Sequence, residues 1–275
     1  MALLTFISAL LLIAFGLLIY LGFRRKAINN PKSFLKKATD VPGKRLVLFG
    51  DSQTHSTLSS DYASMLRSVL NKTPVHVINA GKNGDTALGL LHRLKRDVLP
   101  CRPDLLIIYA GTNDVLQKTT LKNYSSYLSE IIQQVKALKD IPIALVSFPP
   151  LGENLRSRRN AEVDRFNQVL SELAAAFKIS YLPFNETLKA YLSDKPQSDD
   201  SEFSMRISRL LMAAFKKYYL GQSYNKISGA NRLHILTDGI HLNDISGGIL
   251  ATMLQQWIMK QPAHTGLAHQ VDLSD

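Results

Sequence analysis

The chain has 275 residues, a single cysteine and a formal net charge of +11 at pH 7. Hydrophobic residues make up 45% of it and charged residues 20%, which is typical of a globular protein and excludes wholesale disorder. Because Cys101 stands alone, a disulfide-stapled scaffold and a zinc–thiolate site are excluded. The positive excess favours an anionic neighbour, either nucleic acid or a phospholipid surface.

The first 23 residues predict a membrane anchor. Residues 2–23 carry no charge, and as a helix this run would be about 33 Å long, enough to cross a hydrocarbon core of about 30 Å. A cleaved signal peptide is the alternative, but no basic residue precedes the run and no small-residue cleavage site precedes Arg24. We therefore expect one retained transmembrane helix over residues 1–23.

Residues 24–42 are expected to form a basic juxtamembrane linker. Between Arg24 and Arg45 the chain has eight Lys or Arg residues and one acidic residue, Asp40. This excess predicts binding to an anionic membrane surface. No zinc-finger spacing, RNA-binding signature or basic heptad array is present, so we expect no nucleic-acid partner. The positive-inside rule slightly favours the cytoplasmic face for the following domain, with the periplasmic or extracellular side as the alternative.

Residues 43–262 alternate between strand and helix patterns and predict one domain. Five continuous apolar runs, typical of strands buried on both faces, lie at 45–49, 75–79, 104–109, 142–148 and 179–184. Helical periodicity lies between them, at 58–70, 88–99, 121–139 and 161–178. This alternation predicts an α/β fold, a three-layer α/β/α sandwich around a flavodoxin-like five-stranded parallel sheet in the order 2-1-3-4-5.

Two segments fall outside this alternation. Residues 193–234 are expected to form an insertion that contains an amphipathic helix at 203–219. This helix either packs on the domain or serves as a lid or interfacial helix near lipid headgroups. Residues 263–275 are expected to be a flexible tail.

Polar residues follow the first three predicted strands, and a related segment lies near the C-terminus. The segments are Gly50-Asp51-Ser52, the stretch 81–85, the stretch 111–114, and Asp238-Gly239-Ile240-His241. Each one alone is more often a helix cap or a turn. Because ligands of parallel sheets bind outside the carboxyl ends of the strands, we expect the segments to meet there. Together they supply the groups for acyl transfer by a serine nucleophile.

The roles follow from the chemistry of these groups. Ser52 is the candidate nucleophile and His241 the candidate base, because a neutral imidazole accepts protons near pH 7. Asp238, three residues earlier, can reach back to Nδ1 of His241 and fix its tautomer. The amides of Ser52 and Gly84 and the Nδ2 of Asn113 are the candidate oxyanion donors. No metal or cofactor is expected.

The four blocks resemble the SGNH (GDSL-type) hydrolase family over roughly residues 44–258. They read GDSQTHS from Gly50, NAGKNGDT from Asn79, GTND from Gly111 and DGIHLN from Asp238. The resemblance implies esterase, lipase, thioesterase or carbohydrate deacetylase activity without a metal or organic cofactor. It assigns the serine, glycine, asparagine and histidine of the family's blocks to the residues named above.

Two features of the blocks depart from the family's pattern. Gln53 stands where the family name has leucine, and two residues inserted before Gly84 leave Gly81 as an alternative to it. His55, three residues after Ser52, is the rival base.

We expect a membrane-anchored hydrolase of a small acyl ester or a lysophospholipid-like ester. The alternatives are an acyltransferase or deacetylase acting on a glycan or lipid alcohol through the same site, and a non-catalytic anchored binding module.

Overall fold

The structure is a computed structural model that describes residues 5–6, 13, 15–17, 20, 24–37, 42–196 and 207–261. Most of the predicted anchor, residues 203–206 of the amphipathic helix and the predicted tail lie outside the described residues. Among the described residues, the structure contains no helix that is both long and apolar enough to cross a membrane.

Five parallel strands form the sheet predicted from the apolar runs. They are β1 (Lys44–Gly50), β2 (Val75–Gly81), β3 (Leu105–Tyr109), β4 (Ile143–Val146) and β5 (Ser180–Leu182). Their order is β2-β1-β3-β4-β5, which confirms the predicted order. Every residue of β3 and β4 is buried, as expected for strands covered on both faces.

Eleven named helices of the described chain connect or flank these strands. They are α1 (Pro31–Lys37), α2 (Ser52–His55), α3 (Tyr62–Val69), α4 (Ala87–Asp97), α5 (Thr112–Leu116), α6 (Leu121–Leu138), α7 (Arg158–Phe177), α8 (Phe184–Ser193), α9 (Ile207–Tyr218), α10 (Tyr224–Ala230) and α11 (Asp244–Met259). Helix starts are capped by the side chains of Asp51, Asp61, Thr86, Thr120, Ser157, Ser223 and Asn243.

The helices form two groups, as right-handed crossovers require. The connection from β1 to β2 runs in one direction along the sheet, and the later connections run in the other, so their helices lie on opposite faces. In agreement, α6 packs against both α4 and α7, while α3 packs against α11. One continuous hydrophobic core extends through these layers.

The helix predicted at 58–70 begins four residues later than expected, at Tyr62. Ser56 and Leu58 have φ angles of 66° and 59°, which are incompatible with a right-handed helix. Leu58 is buried, but in a second hydrophobic cluster with residues of α9 and α10. The apolar pattern therefore correctly predicted that Leu58 is buried, but the prediction that the helix includes it was wrong.

The segment expected as a linker packs in part on the domain. The carbonyl of Asn29 accepts a hydrogen bond from the Asn79 amide at 3.0 Å, and the Asn29 side chain donates to the Val77 carbonyl at 2.7 Å. Phe34 of α1 is buried in the main core. Residues 29–34 thus run along the outer edge of β2.

The described part of the amphipathic helix, α9, also packs on the domain. Ala213 and Ala214 are buried in the second cluster, and the Tyr218 hydroxyl accepts a hydrogen bond from the Leu58 amide at 3.1 Å. The ring centroid of Phe215 lies 5.5 Å from that of Phe15. The helix therefore contacts both the α/β domain and Phe15 of the N-terminal segment.

Candidate active site

The sheet brings three of the four polar segments to one edge. The last residue of β1, Gly50, pairs in register with Gly81 of β2 and Tyr109 of β3. The chain leaves each strand at this level and enters the segments that carry Ser52, Gly84 and Asn113. The sequence therefore placed these segments correctly at the carboxyl ends of neighbouring strands.

Ser52 begins the one-turn helix α2 directly after β1. Asp51 caps this helix, because its Oδ1 accepts a hydrogen bond from the Gln53 amide at 2.9 Å. A side chain at Gly50 would collide with Thr54 and with the carbonyl of Tyr109. The close packing of the turn thus requires glycine before the Asp51-Ser52 pair and presents the Ser52 hydroxyl at the sheet edge.

The fourth segment meets Ser52 across the fold. Nε2 of His241 lies 3.2 Å from Oγ of Ser52, and Nδ1 of His241 lies 2.8 Å from Oδ2 of Asp238. Oδ1 of Asp238 also accepts hydrogen bonds from the amides of Ile240 and His241 at 3.0 and 2.9 Å. The three side chains form one continuous line of hydrogen bonds, in the arrangement that activates a serine hydroxyl.

Burial and charge shift the pKa values of Asp238 and His241 in opposite directions. Burial alone would lower the pKa of His241, but the Asp238 carboxylate outweighs it and holds that pKa above the usual 6.5. Burial alone would raise the pKa of Asp238, but the charge and hydrogen bonds of His241 hold it below its usual value. The pair therefore favours an ionised carboxylate beside an imidazole that gains a proton readily.

The candidate oxyanion donors lie on the two neighbouring loops. Gly84 has a φ of +76°, and no atom lies within 4 Å of where its Cβ would be. Gly81, by contrast, packs against the backbone of Thr54 and His55. The Gly81 amide already donates to Oδ1 of Asn79 at 2.9 Å, so Gly84 stays the predicted donor.

Asn113 is held between the two other loops. Its Nδ2 donates hydrogen bonds to the Asp85 carbonyl at 2.9 Å and to Oδ2 of Asp51 at 3.2 Å. Its carboxamide therefore links the Ser52 turn with the Gly84 loop. Burial is the largest of several opposing effects on the Asp51 carboxyl and raises its pKa to about 7.

His55 is not in position to serve as the base. Its Nδ1 lies 2.8 Å from Oγ1 of Thr57, and that hydroxyl also accepts from Nδ2 of Asn83 at 3.0 Å. Burial, followed by the charge of Arg93, lowers the pKa of His55. The side chain thus supports the loop before Gly84, while His241 makes the contact with Ser52.

Sequence reasoning missed two buried side chains, Arg93 and Glu153, that hold these loops. Arg93 of α4 binds the Asp85 carboxylate and donates to the carbonyls of Ala80 and Gly50 at 2.7 and 2.9 Å. The Glu153 carboxylate accepts from three successive amides, those of residues 234–236, at 2.8 to 3.0 Å. Arg93 stands among other charged residues and Glu153 in a polar loop, so no local pattern in the sequence marked either one as buried.

No group of three or more His, Cys, Asp or Glu side chains suited to a metal ion occurs in the part of the chain that the structure describes.

The chain is similar to known esterases in sequence. The model of the GDSL-like lipase/acylhydrolase family matches residues 48–207, more than half of the chain. An acetylxylan esterase of Geobacillus stearothermophilus is 25% identical over 177 residues, which cover 54% of this chain and 80% of the relative. An arylesterase of Vibrio mimicus is 27% identical over 157 residues, which cover 55% of this chain and 76% of the relative.

Solved structures show the same fold. A lipase/acylhydrolase from Enterococcus faecalis superposes with a TM-score of 0.57 at 20% identity, over 78% of this chain and 95% of the other. An acetylxylan esterase from Geobacillus stearothermophilus superposes with a TM-score of 0.59 at 17% identity, over 81% and 98%. The family model, which the four blocks anticipated, establishes that this chain belongs to the GDSL-like lipase/acylhydrolase (SGNH hydrolase) family and is a carboxylic ester hydrolase.

Proposed function

We propose that this protein is a membrane-anchored serine esterase that hydrolyses esters of small acyl groups through Ser52, His241 and Asp238. The observation that carries the proposal is the continuous hydrogen-bonded line from Asp238 through His241 to Ser52. A buried imidazole between a carboxylate and a hydroxyl is the arrangement that makes a serine nucleophilic near neutral pH.

Acylation forms one bond and breaks one. Oγ of Ser52 attacks the ester carbonyl while Nε2 of His241 takes the hydroxyl proton. The tetrahedral intermediate then expels the alcohol, which receives that proton from His241. Asp238 stays ionised throughout and stabilises the imidazolium, in keeping with the lowered pKa of its carboxyl.

The intermediate's oxyanion would be held by the amides of Ser52 and Gly84 and by Nδ2 of Asn113. One side-chain donor of this kind is worth about 10² to 10³ in rate. Since Nδ2 of Asn113 already makes two hydrogen bonds, the longer one, to Asp51, is the one that would give way to the oxyanion. Deacylation repeats the sequence with water as the nucleophile and His241 as its base.

The acyl group is proposed to be small, as in an acetyl ester. The acetylxylan esterase and arylesterase relatives support this class, at 25% and 27% identity. A lysophospholipid-like ester remains the second candidate, because α9 contacts the N-terminal segment beside the domain. Transfer of the acyl group to a glycan or lipid alcohol would use the same first half-reaction.

The membrane anchor is part of the proposal. A cavity of about 670 Å³ lies between residues 25–28 and α9–α10, and Arg25, Lys26 and Lys217 line it. Arg25 lies 4.4 Å from the ring centroid of Tyr218 and Lys217 lies 4.0 Å from that of Tyr224, but none of the three cations makes a salt bridge to another described residue. Their positive charge supports contact with an anionic surface. We propose the cytoplasmic face as the location of the domain, on the positive-inside rule.

The test is a chain-length series of p-nitrophenyl esters with the full chain in detergent and a Ser52→Ala variant as control. The proposal predicts turnover that is highest for acetate or butyrate and lost by more than about 10⁴-fold in S52A. Turnover equal to that of S52A on every ester would refute it, and an optimum at long chains would favour the lipid substrate. Adding acceptor alcohols and analysing the products separates hydrolysis from acyl transfer.

A further inference from the structure

Gln53 occupies a position directly after the proposed nucleophile, where the family name has leucine. Its side chain is buried, with 1% of its surface exposed. Nε2 of Gln53 donates to the Ile240 carbonyl at 2.7 Å, and its Oε1 accepts from the Leu242 amide at 3.2 Å. These two backbone groups stand on either side of His241.

The orientation of the Gln53 amide is determined by its neighbours. The Leu242 amide can only donate, so an oxygen is required at that position, and Oε1 also accepts from the Ser59 hydroxyl at 3.0 Å. The Ile240 carbonyl requires a donor at the other. A leucine fills a similar volume but supplies neither group.

The remaining hydrogen bonds around His241 are mostly made within its own segment. Asp238 binds the amides of Ile240 and His241, and the Thr237 amide donates to the His241 carbonyl at 2.6 Å. These bonds shape the turn but do not connect it to α2. Gln53 makes that connection on both sides of the imidazole. The Ser60 amide, which lies after α2, also donates a hydrogen bond to the Leu242 carbonyl.

We infer that Gln53 is a positioning residue that sets Nε2 of His241 within reach of Oγ of Ser52. The inference rests on the proposed function, because it assigns these two atoms the proton transfer. Because the carboxamide follows Ser52 directly and holds the backbone on both sides of His241, it couples nucleophile and base across 187 positions of sequence. Displacements of about 1 Å at such a contact cost about 10²-fold in rate.

The experiment compares Gln53→Met and Gln53→Glu in the full chain in detergent, with Gln168→Met as a matched control. Methionine keeps the volume of glutamine but removes both hydrogen bonds. A protonated glutamic acid retains a donor and an acceptor, and burial raises the pKa of a carboxyl group at such a site. Gln168 is exposed on α7 and bonds only Glu172 among the described residues, so the same change there is expected to be silent.

Steady-state rates are measured from pH 5.5 to 9, per active site titrated with a fluorophosphonate, alongside the melting temperature. We expect Q53M to lower kcat about 10²-fold at every pH with KM changed less than threefold. We expect Q53E to exceed Q53M at low pH and to fall to its level or below as the new carboxyl ionises. Wild-type activity rises over the same range.

A purely structural role would lower the melting temperature and leave kcat per titrated site unchanged. A Q53M kcat within threefold of wild type, a loss confined to KM, or a constant Q53E-to-Q53M ratio at all pH values overturns the inference. If Q53M does not fold, the pH profile of Q53E decides alone. Wild-type protein with neither turnover nor an adduct would refute the proposed function itself, whereas active wild type with unaffected variants refutes only the positioning role.

Discussion

Replacement of Arg93 by methionine tests the account of how the site loops are held together. The guanidinium is buried, with 3% of the residue exposed, and binds Asp85, which is 6% exposed. It also donates to the carbonyls of Gly50 and Ala80, which lie at the ends of β1 and β2. The Arg93→Met change removes the cation and leaves the Asp85 carboxylate buried.

Breaking one side of a buried ion pair costs about 3–5 kcal/mol, because the remaining charge is desolvated and uncompensated. Lys82, 3.3 Å from Asp85 but largely exposed, offsets part of this, and the Gly50 carbonyl still accepts from the Lys82 amide. We therefore expect a loss of about 3 kcal/mol. The double variant R93M/D85N, which removes both charges, is expected to be more stable than R93M alone.

Urea unfolding followed by tryptophan fluorescence measures these free energies. Trp257 is the single tryptophan of the chain and is buried, with Nε1 donating to Oγ of Ser180 at 2.8 Å, so it reports on the domain. Arg96→Met is the control on the same helix, where the side chain is 71% exposed and the expected loss is below about 0.5 kcal/mol. A loss below about 1 kcal/mol for R93M, or a double variant less stable than R93M, would refute the reasoning.

Three further predictions concern the site itself. Asp238→Asn is expected to lower kcat about 10⁴-fold and to move the acid limb of the pH–rate profile to lower pH, because Asp238 raises the pKa of His241; an unmoved limb would contradict this. Burial raises the pKa of Asp51 from 3.8 to about 7, so folding stability falls as pH rises through this range, by about 4 kcal/mol in total. Asp51→Asn should flatten that dependence in urea unfolding at pH 5 and 8 while lowering kcat, since its amide would face Nδ2 of Asn113; an unchanged pH dependence would count against it. Gly84→Ala is expected to lower the free energy of unfolding by about 1 kcal/mol, because alanine is strained at a φ of +76°, although its Cβ would collide with nothing. Thermal unfolding and kcat are measured together, and the assignment of Gly84 would be wrong if neither changed.

Local patterns were sufficient to predict the sheet and the four segments. Each apolar run from β1 to β5 carries its own signal of burial on both faces, and the order was predicted because five such strands fit a flavodoxin-like sheet. Three of the four polar segments were recognisable because they directly follow these runs. The segment that carries Asp238 and His241 follows no strand of the sheet, and its contact with Ser52 was anticipated from the chemistry of these residues and from the resemblance of the four blocks.

The supporting contacts could not be predicted, because they depend on residues distant in sequence. Gln53 meets Ile240 across 187 positions, and Glu153 meets Leu236 across 83. A buried glutamine or glutamate has no local periodicity that distinguishes it from an exposed one. The late start of α3 was missed for another reason, because the positive φ of Leu58 depends on its packing against α9 and α10.

Covalent labelling of the full chain with a fluorophosphonate tests the central claim most directly. Intact-mass spectrometry followed by peptide mapping is expected to find one adduct, on Ser52, since a proton transfer to His241 makes that oxygen nucleophilic. The adduct is expected to be absent from S52A and to form far more slowly in His241→Ala. A folded wild-type protein without a mass shift, or an adduct on a different serine, would contradict the account.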